Sequence, residues 1–270
     1  MVSLSTGRTP VVFVHGLWLH SDSWGAWVDL FDKAGYEAMA PGWPDDPGTV
    51  AEARANPERI AGHGIDEVTD HYAQIIRSLN KTPIVIGHSF GGLIVQKLLG
   101  ENLAAAAVAI DPAPIKGVLR LPASALRSAF PVLKNPVNRN RAISLSPGQF
   151  RYRFGNAISA EESDDLHQRW AIPAPGKPLF QAATANLSPG AESQVDTRNS
   201  MRGPLLLTGG GKDRTVPMSL TKSTAKQYRK SPAITDVKIF DNRGHSLTID
   251  HGWREVADAS LEWLRKHSLT

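Results

Sequence analysis

The chain has 270 residues, 41% hydrophobic and 21% charged, the make-up of a globular protein built as one large domain or as a domain with an insertion. It is long enough to bury a sizeable core without covalent staples. Having no cysteine, it excludes disulfides, thiolate metal sites and a cysteine nucleophile, and its formal net charge of +4 is too small to imply a nucleic-acid partner.

The first ten residues, MVSLSTGRTP, are polar, and the apolar VVFVHGLWL after them is too short to span a bilayer. No signal peptide is visible, so a cytoplasmic location is the default expectation; a mature secreted form would look the same. Residues 11–14 read as an apolar strand. Residues 24–34 read as a helix closed by Gly35 as C-cap. Residues 36–40 form the next strand, stopped by PGWPDDPG, and residues 66–79 a helix with Val68, Tyr72, Ile75, Ile76 and Leu79 mostly on one face. A strand over 83–86, a helix over 90–99 and a strand over 104–110 follow, halted by Asp111-Pro112.

The pattern then changes. From Pro112 to about Met201 prolines recur, no strong strand shows, and short helices fit at 123–130, 159–169 and 179–186. Alternation resumes with a strand at 205–208, a helix at 218–229, a strand at 237–240 and a last helix at 254–266. Near-continuous apolar strands alternating with helices predict an α/β fold, a mostly parallel sheet covered on both faces. The domain reading is a core of residues 1–111 and 202–270, with 112–201 inserted as a helical cap or lid. Residues 113–155 hold eight Lys and Arg but no Asp or Glu, whereas acidic residues dominate 19–79. The basic stretch reads either as a solvated cap face or as an attraction for an anionic ester or interface. No stable membrane insertion is expected.

Gly87-His88-Ser89-Phe90-Gly91 matches G-x-S-x-G and lies between a strand and a helix, the context that gives this motif meaning. So sharp a turn strains the serine backbone, and side chains two residues away would collide. The turn lifts the Ser89 hydroxyl above the sheet, at the positive end of the next helix. A serine nucleophile needs a base, and the base an orienting acid, in the chain order Ser, Asp or Glu, His. GGGKDRTVP places Asp213 beyond one strand end, and DNRGHS places His245 beyond the last. Strand carboxyl ends are where open parallel sheets put their sites. Asp111 also ends a strand and is the rival acid; Asp213 is preferred because Asp111 precedes a proline and opens the cap. Asp241 ranks last. His88 reads as structural or pocket-lining, and His251 as a surface residue.

Acyl transfer builds negative charge on a carbonyl oxygen, which two fixed backbone N–H groups stabilise. Phe90, after the serine, supplies one. The tight turn His15-Gly16 at the end of the first strand presents the other, from Leu17. With these residues the chain resembles the α/β-hydrolase family: VVFVHGLW, GHSFGG, GGKDRTVP and NRGHS stand in that family's order over nearly the whole chain. The resemblance implies Ser89 as nucleophile, Asp213 as acid, His245 as base, and an oxyanion hole from the backbone of Leu17 and Phe90. It also implies that one or both strands usually preceding the His-Gly strand are missing, leaving about six.

The nucleophile narrows the chemistry. Family members that are dehalogenases or epoxide hydrolases carry Asp there, and dienelactone hydrolases Cys, so serine implies acyl transfer from a small carboxylic ester, thioester or lactone. The expected activity is that of a serine carboxylesterase or lipase. Alternatives on the same frame are cyanohydrin cleavage, peracid formation, or ligand binding with little turnover. No P-loop, H-E-x-x-H or G-x-G-x-x-G after a strand is present, the histidines show no ligand spacing, and no metal or cofactor is expected. Trp18 and His88 are the candidate substrate-binding residues. Trp24, Trp43, Phe90, Phe130, Phe154, Trp170 and Phe180 are further candidates for the pocket wall.

Overall fold

The structure is a computed structural model and describes residues 7–269. The polar opening stretch on which the targeting expectation rests lies largely outside these residues. Among the described residues eight strands occur: β1 (Pro10–Val14), β2 (Glu37–Met39), β3 (Ile84–His88), β4 (Ala106–Ile110), β5 (Ala142–Ile143), β6 (Ala174–Pro175), β7 (Leu205–Gly210) and β8 (Thr235–Phe240). The helices are α1 (Gly25–Lys33), α2 (Val50–Ala55), α3 (Ile65–Arg77), α4 (Phe90–Gly100), α5 (Ala123–Leu133), α6 (Pro147–Arg153), α7 (Ala160–Trp170), α8 (Lys177–Thr184), α9 (Met218–Gln227) and α10 (Trp253–Lys266).

Six strands form one sheet in the order β2-β1-β3-β4-β7-β8, every neighbouring pair parallel. This is the expected fold: a parallel sheet of six strands flanked by helices. Side chains alternate across a strand, so each strand feeds both faces. Val12, Val14, Val85, Ala107, Ala109, Leu205 and Leu207 join one buried cluster with residues of α3, α4 and α9. Val11, Phe13, Ile84, Ile86, Val108 and Leu206 join the other, with residues of α1 and α10. Burial on both faces is why the strands read as unbroken apolar runs rather than as alternating ones.

The second face has an aromatic centre. Trp27 is fully buried, packs edge-on against Trp24 with ring centroids 5.1 Å apart, and donates from Nε1 to the Thr248 carbonyl at 2.9 Å. It touches none of the groups above the sheet. Trp27→Ala is therefore expected to lower stability by about 3–5 kcal/mol, read by chemical denaturation. A loss under about 1 kcal/mol would mean that this face is not the core described.

Between β4 and β7 the chain leaves the sheet and forms α5–α8. It also forms the antiparallel pair β5-β6, which joins Ala142 to Pro175 and Ile143 to Ala174. This ladder is a departure from the sequence reading, since two-residue strands are too short to carry a pattern of period two. α6 also goes beyond it, although Ser146 and Gln149 form a capping box that marks its start. α2 was equally legible from Thr49, whose Oγ1 accepts from the Glu52 N–H at 3.2 Å. The inserted segment is tied to the loop after β1, where the His20 N–H donates to the Trp170 carbonyl at 3.1 Å, and to α2, where Arg54 donates to the carbonyls of His167, Gln168 and Ala171.

Candidate active site

Ser89 sits between β3 and α4 at φ 55° and ψ −118°, a backbone conformation rare for a side chain other than glycine. Its neighbours explain how the turn closes. A Cβ on Gly87 would meet the Gly91 carbonyl oxygen at 2.2 Å, and one on Gly91 would meet the Val14 carbonyl oxygen of β1 at 2.1 Å. Both positions need glycine because backbone passes where a side chain would stand. The Ser89 N–H donates to the Ile110 carbonyl and the Ser89 carbonyl accepts from the Ala113 N–H, each at 2.9 Å. These bonds hold the strained turn to the end of β4.

The loops after β7 and β8 bring Asp213 and His245 to this serine. Ser89 Oγ lies 3.0 Å from His245 Nε2, and His245 Nδ1 lies 2.6 Å from Asp213 Oδ2. Asp213 Oδ1 accepts from the backbone N–H groups of Thr215 at 2.6 Å and Val216 at 2.8 Å. Burial pushes the Asp213 carboxyl up. The His245 charge, the hydrogen bonds from His245 and Asp111, and that from the Val216 N–H outweigh burial, and the group ends below the ordinary carboxylate range. An ionised Asp213 can only accept, so Nδ1 of His245 carries the hydrogen and Nε2 is left to accept from the serine hydroxyl.

Asp111, the rival acid, is also here. It is fully buried at φ 41°, and its Oδ2 lies 3.8 Å from His245 Nδ1, too far for a hydrogen bond. Its Oδ1 accepts from the Gly210 N–H at 2.6 Å. Burial first, then the Asp213 charge and the hydrogen bond shared with Asp213, push its carboxyl well above the usual range. Two carboxyl groups this close do not both ionise, and Asp111 is the one that keeps its proton.

His88 does not reach the pocket. Its ring is buried with its centroid 4.6 Å from that of His245 and 6.4 Å from that of Phe154, and neither ring nitrogen has a hydrogen-bond partner among the described residues. Burial and the neighbouring His245 charge hold it well below the usual histidine range, so it packs as a neutral ring. The substrate-binding assignment for His88 is thus corrected to one of packing against the His245 ring, away from the cavity wall. His88, Asp111 and His245 do offer donor atoms within 4.8 Å of one another, a grouping invisible in their sequence spacing. Both nitrogens of His245 are already engaged, by Asp213 and Ser89. His251 is largely exposed and pairs with Glu162 at 2.8 Å, away from this line.

The loop after β1 lies against the serine. A Cβ on Gly16 would meet the Ser89 Cβ and the His88 carbonyl oxygen, each at 2.8 Å. Only glycine lets the Leu17 backbone pass so close. The Phe90 N–H belongs to the first turn of α4, where helix N–H groups lack an intrahelical acceptor. What holds the β1 loop was missed in the sequence. His15 Nε2 lies 3.0 Å from Asp46 Oδ2, the His15 ring stacks on Trp43, and Trp43 Nε1 donates to the His15 carbonyl at 3.0 Å. The signal was the WPDD cluster after β2, which read only as a strand stop. Gly16→Ala is expected to cut kcat/KM by roughly 10–100-fold and to cost about 1–3 kcal/mol of stability, because its Cβ forces this loop away from the Ser89 turn. Unchanged kinetics would show that the loop is not held against the serine.

A cavity of about 140 Å³ opens over Ser89 and His245, walled by Trp18, Phe90, Leu121, Leu126, Phe154, Leu179, Val216 and Leu220 among others. Trp18, at φ 67°, donates from Nε1 to the Ile143 carbonyl at 2.8 Å, which pins the cavity wall to the inserted segment. Of the other aromatic candidates, Phe90 and Phe154 line the cavity. Trp24 lies under the opposite sheet face, Trp43 behind the β1 loop, and Trp170 and Phe180 against the core, while Phe130 points to solvent. The basic stretch also divides. Arg120 lines the cavity, Arg151 pairs with Asp164 at 2.7 Å, and Arg153 is buried with its guanidinium 4.6 Å from the Trp18 ring centre.

An open parallel sheet with a serine, a histidine and a carboxylate in one hydrogen-bonded line at its strand ends defines a class of α/β enzymes. The chain belongs to the alpha/beta hydrolase family: the profile described as "Alpha/beta hydrolase family" matches residues 11–259. A non-heme haloperoxidase of Rhodococcus erythropolis is 27% identical over 264 residues, covering 90% of this chain and 87% of that protein. Among solved structures, a monoacylglycerol lipase from Paleococcus ferrophilus superposes with a TM-score of 0.69 at 22% identity, over 97% of this chain and 96% of that one. A pyrethroid hydrolase from Sphingobium faniae JZ-2 superposes with a TM-score of 0.66 at 17% identity, over 95% and 97%. At these identities the structural matches speak for the fold.

Proposed function

We propose that the protein hydrolyses carboxylic esters through an acyl-enzyme on Ser89. The observation that carries this reading is the unbroken line from Asp213 through His245 to Ser89 beneath an apolar cavity. Ser89 Oγ attacks the ester carbonyl while its proton passes to His245 Nε2. Asp213 holds the imidazole by Nδ1 and stabilises the cation so formed. The N–H groups of Leu17 and Phe90 receive the charge on the carbonyl oxygen. His245 returns the proton to the leaving alcohol. Water, deprotonated by His245, then releases the acid and restores the serine.

The cavity walls favour an uncharged, apolar substrate, since each methylene buried there is worth about 0.8 kcal/mol. On p-nitrophenyl esters, kcat/KM is expected to rise about fourfold per added methylene from acetate to butyrate and to level off once the cavity is filled. Absence of turnover on every ester in the series would overturn the reading. A second reading, peracid formation, is favoured by the haloperoxidase relative. In it hydrogen peroxide replaces water as the nucleophile on the acyl-enzyme, so that the acyl group leaves as a peracid. Halide oxidation that needs an acyl donor together with peroxide, at a rate exceeding that of hydrolysis, would favour this second reading.

A further inference from the structure

Leu119, Leu121, Leu126, Phe130 and Leu187 are between 49% and 87% exposed. They are not scattered. Leu126 and Phe130 stand four residues apart on α5 and share a face. Leu121 and Leu126 line the cavity that opens over Ser89. The turn holding Leu187 is tied to the segment holding Leu119: Asn186 Nδ2 donates to the Val118 carbonyl at 2.9 Å, and the Gly117 N–H donates to Asn186 Oδ1 at 2.8 Å. The exposed apolar side chains thus form a rim at the cavity, a grouping that in a monomeric protein marks a contact surface.

The charges beside this rim have one sign. Residues 112–160 and 171–191 contain no Asp or Glu. Lys116, Arg120, Arg127 and Lys134 stand among the apolar residues, and among the described residues none of them forms an ion pair. Lys116 Nζ donates to the Pro189 carbonyl at 2.6 Å, and the Arg127 guanidinium lies 4.8 Å from the Tyr152 ring centre. Aliphatic tips among unpaired cations, on segments free of Asp and Glu and with no exposed Trp or Tyr among the described residues, match an anionic lipid surface better than a protein partner.

We propose that this rim docks the protein on the surface of an anionic phospholipid bilayer, with the cavity mouth facing the membrane. The leucines and Phe130 enter the headgroup layer while Lys116, Arg120, Arg127 and Lys134 meet lipid phosphates. No helix of the described residues is both long and apolar enough to cross a membrane, and the contact proposed is a peripheral one. Joined to the ester-hydrolase reading, on which this part rests, docking would hand the site an ester of a membrane lipid directly from the bilayer.

The test is co-sedimentation of the full chain with vesicles of phosphatidylcholine alone or with about one third phosphatidylglycerol, at low and at high salt. It is run on the native protein and on the double variant Leu119→Asp/Leu187→Asp. Neither leucine lines the cavity, so turnover of a soluble p-nitrophenyl ester should be the same in both proteins. The bound fraction on anionic vesicles is expected to exceed that on neutral ones at least tenfold. It should fall with salt, because attraction to the surface is screened over about 8 Å at physiological ionic strength. It should drop roughly tenfold or more in the variant. Equal binding to both vesicle types, or undiminished binding of a variant that still turns over the soluble ester, would overturn the proposal. A native protein that ignores vesicles but self-associates through the rim, with the variant monomeric, would overturn it in favour of a second copy as partner. Vesicle binding is read without catalysis, so loss of the ester-hydrolase reading alone would leave it standing.

Discussion

Ser89→Ala is expected to lower kcat for ester hydrolysis by roughly 10⁵–10⁶-fold while the protein stays folded. The fold is spared because the strain at Ser89 lies in its backbone, at φ 55°, and alanine bears that strain as serine does. The backbone bonds that hold the turn, to Ile110 and from Ala113, do not involve the hydroxyl. What is lost is the atom 3.0 Å from His245 Nε2. Circular dichroism and denaturation should match the native protein, and turnover of p-nitrophenyl butyrate should vanish into the background rate. A well-folded variant with near-native turnover would remove Ser89 as the nucleophile and the proposed function with it.

The second large effect separates two buried carboxyl groups. Asp213→Asn is expected to cost about 10⁴-fold in kcat, because an amide can offer its N–H₂ to Nδ1 and favour the imidazole tautomer with its hydrogen on Nε2, where the serine proton must go. Asp111→Asn is expected to stay within about tenfold of the native rate. Asp111 is the proton-bearing member of the pair, and a neutral amide replaces a neutral acid at similar volume. The amide oxygen of that variant can still accept from the Gly210 N–H that Asp111 holds at 2.6 Å. The reverse ranking in steady-state kinetics would transfer the acid role to Asp111.

These expectations rest on geometry that the sequence disclosed unevenly. The apolar runs at 11–14, 83–86, 104–110 and 205–208 announced buried parallel strands, because a strand covered on both faces cannot be polar on either. GHSFG announced a turn with no room for side chains, and the contacts of Gly87 and Gly91 show where that room is taken. α2, α6 and the β5-β6 pair went unread because short elements owe little to periodicity; the caps at Thr49 and Ser146 were the available signals.

By itself, then, the sequence determined the layers, the order of the sheet-forming units and the strand ends at which Ser89, Asp213 and His245 stand. These follow from local rules, namely side-chain period, turn sterics and capping, which act over a few residues. The tertiary structure alone decided which carboxyl meets His245 Nδ1, at 2.6 Å for Asp213 against 3.8 Å for Asp111. It also decided that His88 packs against His245, that His15 and Asp46 brace the loop of Leu17, and which residues between β4 and β7 wall the cavity. The physical reason is distance along the chain. Asp111 and Asp213 both follow strand ends, and local sequence gives only a preference between them; the packing of β4, β7 and the loop after β8 sets the ångström that separates a hydrogen bond from a near miss.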